Sequence, residues 1–125
     1  MKILTMVARI LLGLMFVVFG LNVFLRFIPA QKMPGDAGTL MGLMMTHGWF
    51  AFYGFVEMVG GVLVLFGRYV AIGLILLGGM IVNILLFHLT LAPASIGPGV
   101  FAAILEIILI YEYRASFQGV FSAKG

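Results

Sequence analysis

Two carboxylic side chains stand in the middle of long apolar runs, Glu57 in FYGFVEMVGG and Glu106 in FAAILEIILI. Two carboxamides interrupt two further runs, Asn22 in FGLNVF and Asn83 in IVNILL. In a low-dielectric setting two carboxyls cannot both carry charge cheaply, so such a pair is suited to proton exchange or to holding a hydrogen-bonding ligand. Carboxamides both donate and accept, and bridge helices as readily as they hold a ligand. Hydrolytic chemistry is not expected of the pair, because no clear nucleophile or water-activating metal set accompanies it, and no residue is assigned as catalytic.

Two histidines complete the reactive inventory. His88 and His47 both fall near one expected membrane surface, where a neutral imidazole can relay protons or hydrogen-bond a quinone carbonyl. Their matched height raises bis-His haem, but the spacing carries no haem signature. Met41, Met44, Met45 and His47 are soft-metal donors that would suit copper(I), yet methionines at helical spacing ordinarily provide flexible apolar packing. No metal site is expected. With no cysteine in the chain, disulfides, thiol redox chemistry and iron–sulfur ligation are excluded.

The elements that must position these groups are membrane helices. Of 125 residues 64% are hydrophobic and 9% charged, whereas a soluble domain carries about 25% charged residues. A water-soluble fold of this size cannot hide that much apolar surface. Spanning a hydrocarbon core of roughly 30 Å takes about 20 apolar helical residues. Four windows qualify, at about 9–27, 49–66, 69–89 and 98–113. Turn chemistry separates them: Pro29, Pro34, Gly35 and Asp36 in the first break, Gly67-Arg68 in the second, Pro93, Gly97 and Pro98 in the third. The first window is read as a retained span rather than a signal peptide, because Arg9 interrupts it and no small-residue cleavage site follows. The expectation is a single all-α domain over 1–125, an integral membrane four-helix bundle. Asp36 is the expected N-cap of a short interfacial helix in the first outer loop, with Leu40, Met41, Met44 and Met45 on its apolar face.

Charge sets the orientation. Four spans put both termini on one side, with Lys2, Arg9, Arg68, Arg114 and Lys124, against Arg26 and Lys32 on the other. By the positive-inside rule the termini are cytoplasmic. The small basic excess speaks to topology, and no nucleic-acid partner is expected. A rise of about 1.5 Å per residue puts Asn22 and Asn83 roughly 20 Å from the inner surface. The same rise puts Glu57 and Glu106 about 12 Å from the outer one. One polar residue from each span therefore falls in the outer half of the bilayer at nearly one depth, with His88 and His47 near its outer mouth. Small residues flank the glutamates, Gly54 and Gly61 around Glu57, Ala102 and Ala103 before Glu106, as close helix approach in lipid requires. The inner half of every span is nearly pure hydrocarbon, which argues against a proton or solute carrier.

The segments RILLGLMFVVFGLNVF, FVEMVGGVLVLFGR and VNILLFHLTLAP, in that order, resemble the DoxX-like integral membrane proteins. The residues that carry the likeness are Arg9 opening the first helix, Gly20 with Asn22 late in it, Glu57 with Gly60 and Gly61, the Gly67-Arg68 turn, and His88 ending the third helix. The resemblance covers essentially the whole chain. It implies a small four-helix protein of the bacterial inner membrane, multi-pass. Its implied role is an accessory or quinone-binding subunit of an oxidoreductase complex, with a quinone as the candidate cofactor and none bound covalently. The expected partners are the lipid bilayer and other membrane subunits or further copies of the chain. A structural subunit packing against a larger membrane complex is the alternative.

Overall fold

The computed structural model describes residues 2–25 and 35–121. Arg26, Pro29, Lys32, Pro34 and Lys124, which enter the loop and charge arguments, lie outside the described residues. Among those described there is no strand. The helices are α1 (Ile3–Leu25), α2 (Gly35–Thr46), α3 (Trp49–Phe66), α4 (Val70–Leu91), α5 (Gly97–Glu112) and the single-turn α6 (Gln118–Phe121). Short 3-10 turns at Pro93–Ser95 and Arg114–Phe117 follow α4 and α5. Helices α1, α3 and α4 are each long and apolar enough to cross a membrane.

Glycine decides how these helices meet. In α1 and α3 the glycines recur at spacings that put them on the facing sides, so the backbones touch. A Cβ at Gly13 would lie 2.7 Å from the Leu65 nitrogen, and one at Gly20 2.7 Å from the Gly54 carbonyl oxygen. From the other side, a Cβ at Gly61 would lie 2.9 Å from the Gly13 carbonyl oxygen. Gly13 thus sits beside the end of α3 and Gly20 beside its start, so the two helices are antiparallel. A second glycine seam joins α3 to α4, where Gly60 and Gly73 each approach the other's carbonyl oxygen. Helix α5 contacts both α4 and α1, which closes a ring of contacts through α1, α3, α4 and α5. Phe16, Leu12, Leu74, Leu77, Leu109 and Val64 fill the space between them.

The α3–α4 turn is short because its stop signal is complete. Gly67 adopts φ 71, a left-handed conformation that only glycine takes without strain. The Arg68 amide donates to the Leu63 carbonyl at 3.1 Å and the Gly67 amide to Val64 at 3.2 Å, the paired bonds of a Schellman motif. Arg9 reaches across from α1 to the same place, Nη1 donating to the carbonyl oxygens of Leu65 at 3.4 Å and Val64 at 3.5 Å. A guanidinium there meets both the orphan carbonyls and the negative end of the helix dipole. Helix α1 begins at Ile3, six residues before Arg9. The arginine turns inward at the level of the α3 end, and the helix runs past it.

Two further boundaries differ from expectation. Helix α4 continues two residues beyond 89, until Ala92 precedes Pro93 and is held out of helical geometry. In α2, Gly35 opens the helix at φ 68 and Asp36 lies within the first turn instead of capping it. The buried side of α2 is Ala37 with the half-buried Met41 and Met44, while Leu40 and Met45 are exposed.

Lys2 Nζ lies 3.8 Å from Glu112 Oε1, so the start of α1 and the end of α5 share one end of the molecule with the Gly67-Arg68 turn. Between the ends, the outward faces are apolar: Leu11 and Leu14 on α1, Phe52 and Phe55 on α3, Ile72 and Ile75 on α4, Ile104 and Ile107 on α5. Aromatic groups gather at the ends of these faces. Trp49 packs edge-on against Tyr53 at the start of α3, while Tyr69 and Tyr111 are exposed at the opposite end.

Candidate functional site

Glu57 and Glu106 are the two buried carboxyls, 9% and 5% exposed. Each is held in by its helix's small or apolar neighbours at three- and four-residue spacing. On α3 these are Gly54, Gly60 and Gly61, and on α5 Ala102 and Leu109. Both oxygens of Glu106 are buried and neither has a hydrogen-bond partner. Oε2 lies over the bare backbone of Gly78, where a Cβ would come within 3.0 Å of it.

The helix register places the two carboxyls at one level. Gly60 on α3 abuts Leu77 and the Gly73 carbonyl. Glu57, three residues earlier on an antiparallel helix, therefore stands about 4.5 Å further along α4, level with Gly78. Glu106 is already fixed at Gly78 by its own contact. The two glutamates therefore stand at nearly one level along α4.

The carboxamides stand apart from this pair. Asn22 is half-buried on α1 and, by the Gly20–Gly54 contact, lies about one helical turn nearer the α2 end than Glu57. Asn83 lies about 7.5 Å beyond Gly78 along α4. It is exposed, and its Nδ2 donates to the Gly79 carbonyl of its own helix at 3.0 Å. This departs from the expected buried layer of four. The inward face of α4 carries Leu77, Ile81 and Ile84, and at 100° per residue Asn83 is turned about 120° from it. The expected depth of Asn22 counts from Arg9, which stands level with the end of α3.

The histidines separate as well. His88 follows Leu77, Ile81 and Ile84 at four- and three-residue steps, so it shares their face and is half-buried. Its Nδ1 lies 2.7 Å from the Ile84 carbonyl oxygen, which requires the proton on Nδ1. His47 is exposed in the turn between α2 and α3. Among the described residues no three His, Asp or Glu side chains converge on a metal-sized site.

Arg9 caps the end of α3, a role that residue spacing did not identify. The available signal was its position, a single cation within an apolar helix whose antiparallel neighbour ends at the same height. Two open surface grooves, of about 320 and 370 Å³, run along α1, one between Leu14, Phe19 and Phe101 and the other between Val17, Met58 and Val62. Neither is lined by a polar residue.

The fold and site define an all-helical protein with three membrane-length helices and a pair of buried carboxyls at one level. No family model matches the chain, and neither a curated protein nor a solved structure matches it.

Proposed function

We propose that the chain is a DoxX-like, multi-pass protein of the bacterial inner membrane. In this reading α1, α3, α4 and α5 form a four-span bundle with cytoplasmic termini, and α2 lies along the outer surface. It acts as an accessory or quinone/lipid-binding subunit of a membrane oxidoreductase complex. The observation that carries the reading is the pairing of Glu57 with Glu106. Carboxyls inside a bilayer are costly to keep, and a fold retains them where they hold a ligand, a proton or a partner group. The apolar outer faces and the aromatic ends of α3 support immersion, since 18 helical residues rise about 27 Å. Helix α5 is shorter, 16 residues or about 24 Å, and crosses with local thinning of the bilayer.

A structural subunit is the second reading, favoured by the glycine seams and by grooves that contain neither glutamate. Purification from the native membrane in mild detergent, with mass spectrometry of co-purifying proteins and lipids, separates the two. The ligand-binding reading expects quinone or lipid retained by the wild type and lost from Glu57→Gln and Glu106→Gln, with partner proteins still bound. If both variants keep ligand, partner and turnover unchanged, the carboxyl pair has no such role.

A further inference from the structure

Glu106 is a buried acid to which no described residue supplies a hydrogen bond. Its two oxygens have no partner although the residue is 5% exposed, and a buried acceptor without a donor is destabilising unless something else completes the bond. The donors on the adjoining helix are engaged elsewhere: Asn83 Nδ2 with Gly79 and His88 Nδ1 with Ile84. Arg9 is spent at the far end of α3.

The carboxyl is also thinly covered on one side. Between it and the outside α4 presents Gly78, half-buried, then Gly79, which is exposed and where a Cβ would meet nothing within 4 Å. Ile75 and Val82 flank the gap, both exposed. A molecule that reaches Glu106 by this side crosses hydrocarbon, so it must be uncharged and largely apolar. A neutral carboxyl supplies its own O–H but leaves its carbonyl oxygen an unmet acceptor, so the molecule must carry a donor. To slide between α4 and α5 over bare glycine backbone it must be thin, as an aromatic ring is.

We propose that Glu106 and Gly78 form a binding niche, opened sideways to the bilayer between α4 and α5, for an uncharged phenolic or hydroquinone-type molecule whose hydroxyl donates to Glu106. This rests on the ligand-binding reading above and names the ligand's chemistry and its route.

The test is covalent capture in proteoliposomes with dicyclohexylcarbodiimide, an apolar reagent. The Glu106 carboxyl oxygen adds to the carbodiimide carbon and its proton passes to a carbodiimide nitrogen; an acyl shift from oxygen to nitrogen then gives a stable N-acylurea, with nothing oxidised and nothing lost. Mass spectrometry of the Glu106 peptide should show this adduct, formed at least about tenfold faster than with a water-soluble carbodiimide, the factor set by a barrier difference of one hydrogen bond or more. Gly78→Val should slow it by a similar factor, as should Gly79→Ile, which adds bulk where there is open space and spares the contact with Glu106. Gly42→Val on α2, also in open space, should not. A short-chain hydroquinone should protect, and its dimethyl ether, which has no donor, should not.

Absence of labelling, equal labelling by both reagents, or labelling indifferent to both glycine variants overturns the niche. Equal protection by hydroquinone and ether, or protection by neither, overturns the ligand. Neither result touches the assignment as a membrane subunit, which co-purification of partner proteins decides separately.

Discussion

Adding one methyl group at Gly13 gives the sharpest test of the α1–α3 seam. An alanine Cβ there would stand 2.7 Å from the Leu65 nitrogen and 2.8 Å from both its Cα and its Cβ. Two of those three atoms are backbone and cannot rotate away. Restoring ordinary contact at 3.4 Å requires the helices to part by about 0.7 Å, and rigid helices carry that movement along the seam to Gly20, Gly54 and Gly61. Overpacking of this kind costs about 1–3 kcal/mol. Against it stands the gain of about 1 kcal/mol that any Gly→Ala change brings inside a helix. Gly79→Ala is the control, because its methyl group meets nothing within 4 Å and collects only the gain. The difference between the two variants, measured by reversible unfolding in mixed micelles with helical circular dichroism, should therefore be about 1–3 kcal/mol. Gly61→Ala should cost much the same, and the double variant less than the sum, since one separation relieves both clashes. If Gly13→Ala and Gly79→Ala melt together within about 0.5 kcal/mol, the close backbone approach is refuted.

Three other outcomes follow from named contacts. Arg9→Gln should lower stability by about 1–2 kcal/mol in the same titration, because it removes a cation and long hydrogen bonds from the end of α3; Arg9→Lys should fall between, keeping the charge but losing the fork. Asn83→Leu should leave stability within about 0.5 kcal/mol of wild type, since the side chain is exposed and bonded only to its own helix; a larger loss would show that a partner covers that face in the membrane. The chain has no cysteine, so Ala115→Cys and Gly42→Cys are clean probes, both at exposed positions. An impermeant maleimide added to spheroplasts should label only Gly42→Cys, and labelling of Ala115→Cys from outside would overturn the proposed orientation.

The extent of α3 and the turn into α4 were legible because the chain punctuates them fully. Gly48 and Gly67 both take positive φ at the ends of α3, and the Gly67-Arg68 pair can only be a tight turn once apolar runs flank it. The start of α1 was not legible. Charge usually marks the membrane surface, and that rule placed Arg9 at a boundary. Whether an arginine snorkels outward or turns inward depends on what stands opposite it, here the open carbonyls of Val64 and Leu65. That neighbour is 55 residues away in sequence, and local pattern carries no trace of it.

The site divides along the same line. Depth along a helix needs only a residue count and a rise, so the level shared by Glu57 and Glu106 could be read directly. Azimuth needs the identity of the neighbours. Helix α4 is apolar all round, so its composition offers no hint of which side faces inward; only the glycine contacts at Gly73 and Gly78 settle it. With that face fixed, Asn83 turns outward and His88 inward, the reverse of what polarity alone suggests for a residue in mid-span and one at a span end. An exposed Asn keeps its donor by bonding back to the Gly79 carbonyl, a local solution that needs no partner helix. A neutral Glu106 carboxyl could donate its O–H to its own backbone, and it makes no such bond here; that backbone offers its acceptor oxygen no free donor. A mid-helix carboxyl must therefore find its donor outside its own helix, and that asymmetry marks Glu106 rather than Asn83 as the residue whose missing partner is informative.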